Sequence, residues 1–323
     1  MNVIFKLLML CMTIAWMTLT PLMAQTWPTK PVRLLVPFPP GGVTDALARI
    51  VSTKLGAALG QSVVVENRPG AATIIATREV VQAAPDGYTL LLGVTQLAIN
   101  PAFQNDLPYN ALKQLEPIVQ LGDVTGFVAV HHSHPAKTFN AFIQMGTNAP
   151  ISVAIPGVAS VYHIALELLN QKAGTKLVSI GYKGSGESIR DVIGGHVPVT
   201  VDGVVSLAPH IKSGSLRGLA VLARERSSDL PDIPTTVELG MPDVVISAFI
   251  GLMAPSGTPK AVIDRVNKEV NAIIKQPETV AQARNLGLEL IGGSVGDFKA
   301  TIEKATKTYA DVVKSSGIKL EKN

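Results

Sequence analysis

The sequence predicts an α/β fold of two lobes built on parallel sheets, and three observations carry that expectation. Strand-like and helix-like stretches alternate through most of the 323 residues. The alternation recurs as a second βα series later in the chain. Helices then return after that second series and need a surface to pack on, which the first lobe offers.

In chain order, Val32–Val36 reads as a buried strand and residues 46–59 as a helix ending near Gly60. Residues 62–66 form a second strand, 73–82 a second helix and 89–93 a third strand after the turn Pro85-Asp86-Gly87. The second series opens with a strand at 151–154 and a helix from Ser160. There Val161, Ile164, Ala165, Leu168 and Leu169 fall on one buried face. Strand 177–180, helix 186–193 and strand 197–202 follow, with Gly194 and Gly195 ending the helix. Leu216 to Leu222 gives another strand. Thr258-Pro259 reads as an N-cap followed by proline at the first helical position. The stripe Val262, Val266, Val270, Ile273 and Ile274 marks that helix, and 297–314 the last one. The expected division is 1–24 as a leader, 25–125 with 249–323 as lobe 1, and 126–248 as lobe 2. The chain then crosses twice, near 125–127 and 247–251, a hinge that permits closure.

Charge and cysteine content bound the function. Lys6, an apolar run over 7–23 and the small residue Ala24 are the pattern of a secretory signal peptide cut after Ala24, with a retained membrane anchor as the rival reading. The only cysteine, Cys11, lies in that leader, so the mature chain has no disulfide. Removing the leader lowers the net charge from +4 to +3. That balance is too diffuse for nucleic acid, which requires a clustered basic face.

The segment Pro37-Phe38-Pro39-Pro40-Gly41-Gly42-Val43-Thr44-Asp45 carries the chemistry. It lies between a strand and a helix, where unpaired N–H groups and the helix dipole attract an anion. Thr44 or Asp45 can cap the helix. A plain strand–helix turn is the alternative, and the loop lacks the lysine of a phosphate-binding loop.

With that segment, Val63-Val64-Val65-Glu66-Asn67-Arg68-Pro69-Gly70-Ala71, Pro85-Asp86-Gly87-Tyr88-Thr89-Leu90-Leu91, Asn100-Pro101, Tyr182-Lys183-Gly184, Leu230-Pro231-Asp232-Ile233-Pro234-Thr235 and Ala254-Pro255-Ser256-Gly257-Thr258-Pro259 form an ordered series. The chain resembles the Bug family, the extracytoplasmic solute receptors of tripartite tricarboxylate transporters. The resemblance implies a type II periplasmic-binding-protein-like fold that closes over a carboxylate between its lobes. Carried over by position, the ligand residues are Phe38, Pro39, Pro40, Gly41, Gly42, Val43, Asp45, Ala71, Ala72, Thr73 and Thr95 from lobe 1. Lobe 2 contributes Ala154, Ile155, Gly157, Ser160, Tyr182 and Asp202. Family members usually carry glycine where this chain has Ala72, Thr73, Ala76 and Ala159, and serine at Ile155, so methyl and branched groups enter the ligand loops.

No catalytic constellation emerges. There is no Gly-x-Ser-x-Gly elbow and no dinucleotide fingerprint. His131, His132 and His134 precede Pro135 in what reads as an exposed loop without metal-ligand partners. His163 reads as a buried, hydrogen-bonded histidine. The expectation is a periplasmic, monomeric, non-enzymatic receptor for a small organic acid, dicarboxylate or acidic amino acid, with no metal or cofactor. Its partners are then the membrane permease subunits of the transporter. The alternative is a ligand sensor that signals to a membrane sensor kinase.

Overall fold

In the computed structural model, residues 27–104, 106–246 and 248–316 are described. The expected leader and its expected cleavage after Ala24 lie outside them. Among the described residues no helix is long and apolar enough to cross a membrane.

The first lobe opens as a βαβαβ unit: β1 (Val32–Val36), α1 (Val43–Leu59), β2 (Val63–Asn67), α2 (Ile74–Val81) and β3 (Thr89–Val94). A single 3₁₀ turn, Ala71–Thr73, precedes α2. β1 pairs in parallel with β2 on one side and β3 on the other. β3 is buried at every position, as expected of a central strand covered on both faces. Two short helices, α3 (Gln96–Phe103) and α4 (Ala111–Gln114), lead to β4 (Leu115–Val124).

The second lobe contains β5 (Gly126–His131), α5 (Phe139–Asn148), β6 (Ile151–Ile155), α6 (Val161–Ala173), β7 (Leu177–Gly181), α7 (Ser185–Ile193), β8 (Val199–Gly203), α8 (Val204–Lys212) and β9 (Leu216–Val221). The chain then returns through β10 (Ala248–Pro255), α9 (Lys260–Ile273), α10 (Pro277–Asn285), β11 (Glu289–Leu290) and α11 (Val295–Ser316).

The two sheets share one plan. The first has the order β11-β4-β10-β3-β1-β2 and the second β7-β6-β8-β5-β9. In each, three parallel strands are followed by one antiparallel strand that arrives from the other lobe, β10 in the first and β5 in the second. The outward crossing is a single residue, Thr125, whose carbonyl accepts the Val204 amide at 2.8 Å. The returning strand already pairs Ala248 with Val124. Phe249, Ile250 and Gly251 therefore belong to the first sheet and not to the crossing. Gly251 is needed there because Phe298 of α11 packs directly over it, and a Cβ would also lie 2.7 Å from the Val119 carbonyl oxygen.

α11 ties the lobes together by packing against α3 of the first and α6 of the second. Its buried Phe298, Ile302, Tyr309 and Val312 join a hydrophobic cluster that also takes in Ile164 and Leu168 of α6. The stripe Val262, Val266, Val270, Ile273 and Ile274 is buried as the 3.6-residue period requires.

Two local expectations are corrected. Thr258 caps no helix: its hydroxyl donates to the Pro255 carbonyl at 2.8 Å, and Pro259 itself is the cap residue of α9. His134 is buried and not exposed. Its Nδ1 accepts the Ala136 amide at 3.2 Å, and burial pushes its pKa down.

Candidate functional site

A cleft of about 520 Å³ opens between the lobes at the carboxyl ends of β1, β2, β3 and β6. Ligands settle at such strand ends in open α/β sheets. Its walls are residues 37–39 after β1, 69–70 and 72–73 after β2, parts of α3, and 156–160 after β6. Its volume is that of a small-molecule site.

The loop after β1 is shaped by Asp45. This carboxylate is 3% exposed, and its Oδ2 accepts the Gly41 amide at 2.9 Å and Arg49 Nε at 2.9 Å. Oδ1 accepts Asn67 Nδ2 at 2.9 Å, and the same nitrogen donates to the Phe38 carbonyl at 3.0 Å. Arg49 above all, helped by Gly41 and Asn67, holds the Asp45 pKa down at about 2 against the opposing effect of burial. Gly41 takes φ 93°, a conformation that excludes other residues without strain. The cap residue of α1 is Gly42, with no side-chain cap. Neither Thr44 nor Asp45 caps the helix, so its first-turn amides remain available to a ligand.

The turn after β2 is held in an unusual backbone. Ala71, Ala72 and Thr73 take φ values of 47°, 49° and 74°. Asn100 Nδ2 donates to the Ala72 carbonyl at 2.9 Å, and Thr77 Oγ1 donates to the Thr73 carbonyl at 3.0 Å. Across the cleft Ala159 has φ 57°. Ala72, Thr73 and Ala159, three of the positions where the resemblance implies glycine, are thus left-handed here, a conformation that glycine adopts freely. Ala76 is an ordinary buried helical residue of α2.

On the second lobe Ser160 caps α6, its Oγ accepting the His163 amide at 3.3 Å. His163 is buried, as expected. Its Nδ1 accepts the Ala159 amide at 3.2 Å, and its Nε2 lies 3.2 Å from Ser179 Oγ and 4.0 Å from Glu167. Burial pushes the His163 pKa down and the Glu167 pKa up. Both ring nitrogens are engaged away from Ser160 Oγ, so His163 is not placed to activate that hydroxyl.

Of the residues singled out from the sequence, Phe38, Pro39, Ala72, Thr73, Gly157 and Ser160 line the cleft. Pro40, Gly41, Gly42, Val43 and Ala71 lie outside the lining, next in the chain to residues that belong to it, and Asp45 is spent on organising the loop. Ala154 and Ile155 are fully buried in β6 behind the wall. Thr95 donates to the Phe249 carbonyl at 3.3 Å, one residue before the lining begins at Gln96.

Tyr182 and Asp202 also lie outside the lining. The Tyr182 hydroxyl donates to Asp191 at 2.7 Å, and burial, with Asp191, pushes its pKa up to about 12. Asp202 is 1% exposed and accepts Ser185 Oγ at 3.0 Å and the Gly203 amide at 2.6 Å. Burial raises its pKa to about 6 in spite of those donors.

Sequence reading missed the wall made by Gln96, Ile99 and Phe103 of α3 and by Gln104 just after it. The signal available for α3 was Asn100-Pro101 shortly after the central strand β3. Among the described residues no group of histidine, cysteine, aspartate and glutamate side chains could hold a metal ion.

Residues 47–318 match the family model described as tripartite tricarboxylate transporter family receptor. BugT of Bordetella pertussis is 34% identical over 305 residues, covering 93% of this chain and 94% of its own. The solved structure of periplasmic binding protein BugD is similar at 29% identity with a TM-score of 0.72, over 91% of this chain and 100% of that one. The R. palustris protein Rpa4515, solved with adipate, is 30% identical with a TM-score of 0.75, over 91% of this chain and 99% of that one. The two-sheet architecture with a cleft between α/β lobes is the periplasmic-binding-protein-like fold these proteins share, and the chain belongs to the tripartite tricarboxylate transporter receptor family.

Proposed function

We propose that this chain is a periplasmic solute-binding receptor that captures a small carboxylate between its lobes and presents the closed form to the permease of a tripartite tricarboxylate transporter. The observation that carries this reading is the cleft at four strand ends, where α1, α2 and α3 all begin without a side-chain cap. Helix starts of this kind supply anion donors without a charged side chain. The similar BugD is a periplasmic binding protein, and the similar Rpa4515 was solved with adipate, a carboxylate.

Capture and release without chemistry is consistent with the engaged His163 and with Ser160 serving as a helix cap. Closure is favoured only to the extent that the ligand binds the closed form more tightly than the open one. The test is thermal unfolding of refolded, ligand-free protein against a panel of mono-, di- and tricarboxylates. A ligand at about 100 times its dissociation constant adds ~2.7 kcal/mol and raises the melting temperature. A panel without any such shift refutes the assignment.

A further inference from the structure

We propose that the cleft selects a monocarboxylate with an uncharged, mainly apolar body, and that the Thr73 hydroxyl contacts its carboxylate. This rests on the carboxylate-receptor reading above and narrows its ligand class.

Three observations converge on Thr73. It is β-branched yet held at φ 74°, where such residues are outliers. It is 3% exposed, and its Oγ1 is buried without a hydrogen-bond partner. It lines the cleft. A strained backbone and an orphaned hydroxyl are both unfavourable in the free protein and persist only where the surroundings impose them. Asn100 and Thr77 do so here through the bonds to the Ala72 and Thr73 carbonyls. Strain held in this way gathers at ligand clamps, and the group left unsatisfied is a hydroxyl, a good donor to a carboxylate.

The polarity of the cleft sets the rest of the ligand. Donors lie on the first lobe: the Thr73 hydroxyl and the uncapped starts of α2 and α3. The facing second-lobe wall is Pro156, Gly157, Val158, Ala159 and Ser160, of which only Ser160 has a polar side chain, and Val158 is 47% exposed. The start of α6 behind that wall carries a side-chain cap, unlike those of the first lobe: Ser160 Oγ takes the His163 amide, and His163 Nδ1 takes the Ala159 amide. No lysine, arginine or histidine is among the lining residues. A second carboxylate reaching the far wall would be stripped of water with no cation among the lining residues to receive it. An apolar body gains there by covering Val158.

The test is titration calorimetry on refolded, ligand-free full-length protein with hexanoate, adipate and benzoate. Hexanoate and adipate share a six-carbon chain and differ in the second carboxylate. The expected result is that hexanoate or benzoate binds at least about tenfold more tightly than adipate. Thr73→Val, which keeps the shape and β-branching, weakens that ligand about tenfold, ~1.4 kcal/mol. Thr73→Ser retains the affinity, and the unliganded Thr73→Val protein has the circular dichroism of the parent. Adipate binding as tightly as hexanoate and benzoate overturns the monocarboxylate class while leaving the carboxylate receptor standing. Thr73→Val binding like the parent overturns the contact. A failure of every carboxylate to bind removes the receptor reading and this inference together.

Discussion

Asp45 organises the loop beside the cleft, and replacing it by asparagine measures what its charge contributes. Its pKa falls from 3.8 to about 2 on folding, chiefly through Arg49 and then through Gly41 and Asn67. A depressed native pKa means that the stabilisation is complete above the unfolded value and is lost as pH falls toward the native value. The shift corresponds to about 2 kcal/mol at pH 7 and to about half of that at pH 3. This is an upper figure, because the Arg49 side chain is 54% exposed and water screens part of the attraction. Urea unfolding of the parent and Asp45→Asn at both pH values isolates the term, since every other carboxylate titrates equally in the two proteins. The expected loss is about 1–2 kcal/mol at pH 7 and roughly half of that at pH 3. A difference below about 0.5 kcal/mol, or one that does not shrink with acid, refutes the account of the loop.

Two further perturbations follow from the same structure. Asp202 has the opposite sign: burial raises its pKa from 3.8 to about 6, so the native state holds its proton more tightly than the unfolded chain. Relative to Asp202→Asn, the parent should gain about 1 kcal/mol between pH 7.5 and pH 5 in urea unfolding, and parallel pH profiles would contradict this. Ala72 carries a Cβ at φ 49°. Ala72→Gly relieves left-handed strain of roughly 1–2 kcal/mol at an entropic cost of about 0.5–1, so the melting temperature should rise by a few degrees, and a fall would mean that the turn is unstrained.

Much of the architecture was legible because its physical causes are local. The stripes of α6 and α9 repeat with the helix period, and α1 ends at Gly60, with φ 73°, near where its end was expected. The βα order placed residues 37–39 and 156–160 at strand ends, hence near a common cleft. What stayed hidden depends on long-range packing. α3 has only eight residues with Pro101 inside it, so neither length nor period announces a helix. β10 is apolar on both faces because it is the antiparallel strand between β3 and β4, a neighbourhood set more than a hundred residues earlier in the chain. The bonds of Asp45 to Asn67 and of Tyr182 to Asp191 were also out of reach, since each depends on a partner brought close by the fold.

The departures from glycine acquire a physical meaning once the backbone is known. At Ala72, Thr73 and Ala159 the chain keeps the left-handed conformation that glycine adopts freely, and it keeps it with side chains that resist it. The bonds from Asn100 and Thr77 hold the first of these turns in place. Ala72 and Thr73 lie in the first-lobe wall and Ala159 in the second, so their side chains occupy space a ligand must fill. A pocket that recognises its anion through backbone donors has few side chains with which to tell one acid from another. Placing Cβ groups on the donor loops themselves is the most direct way for such a pocket to acquire a preference.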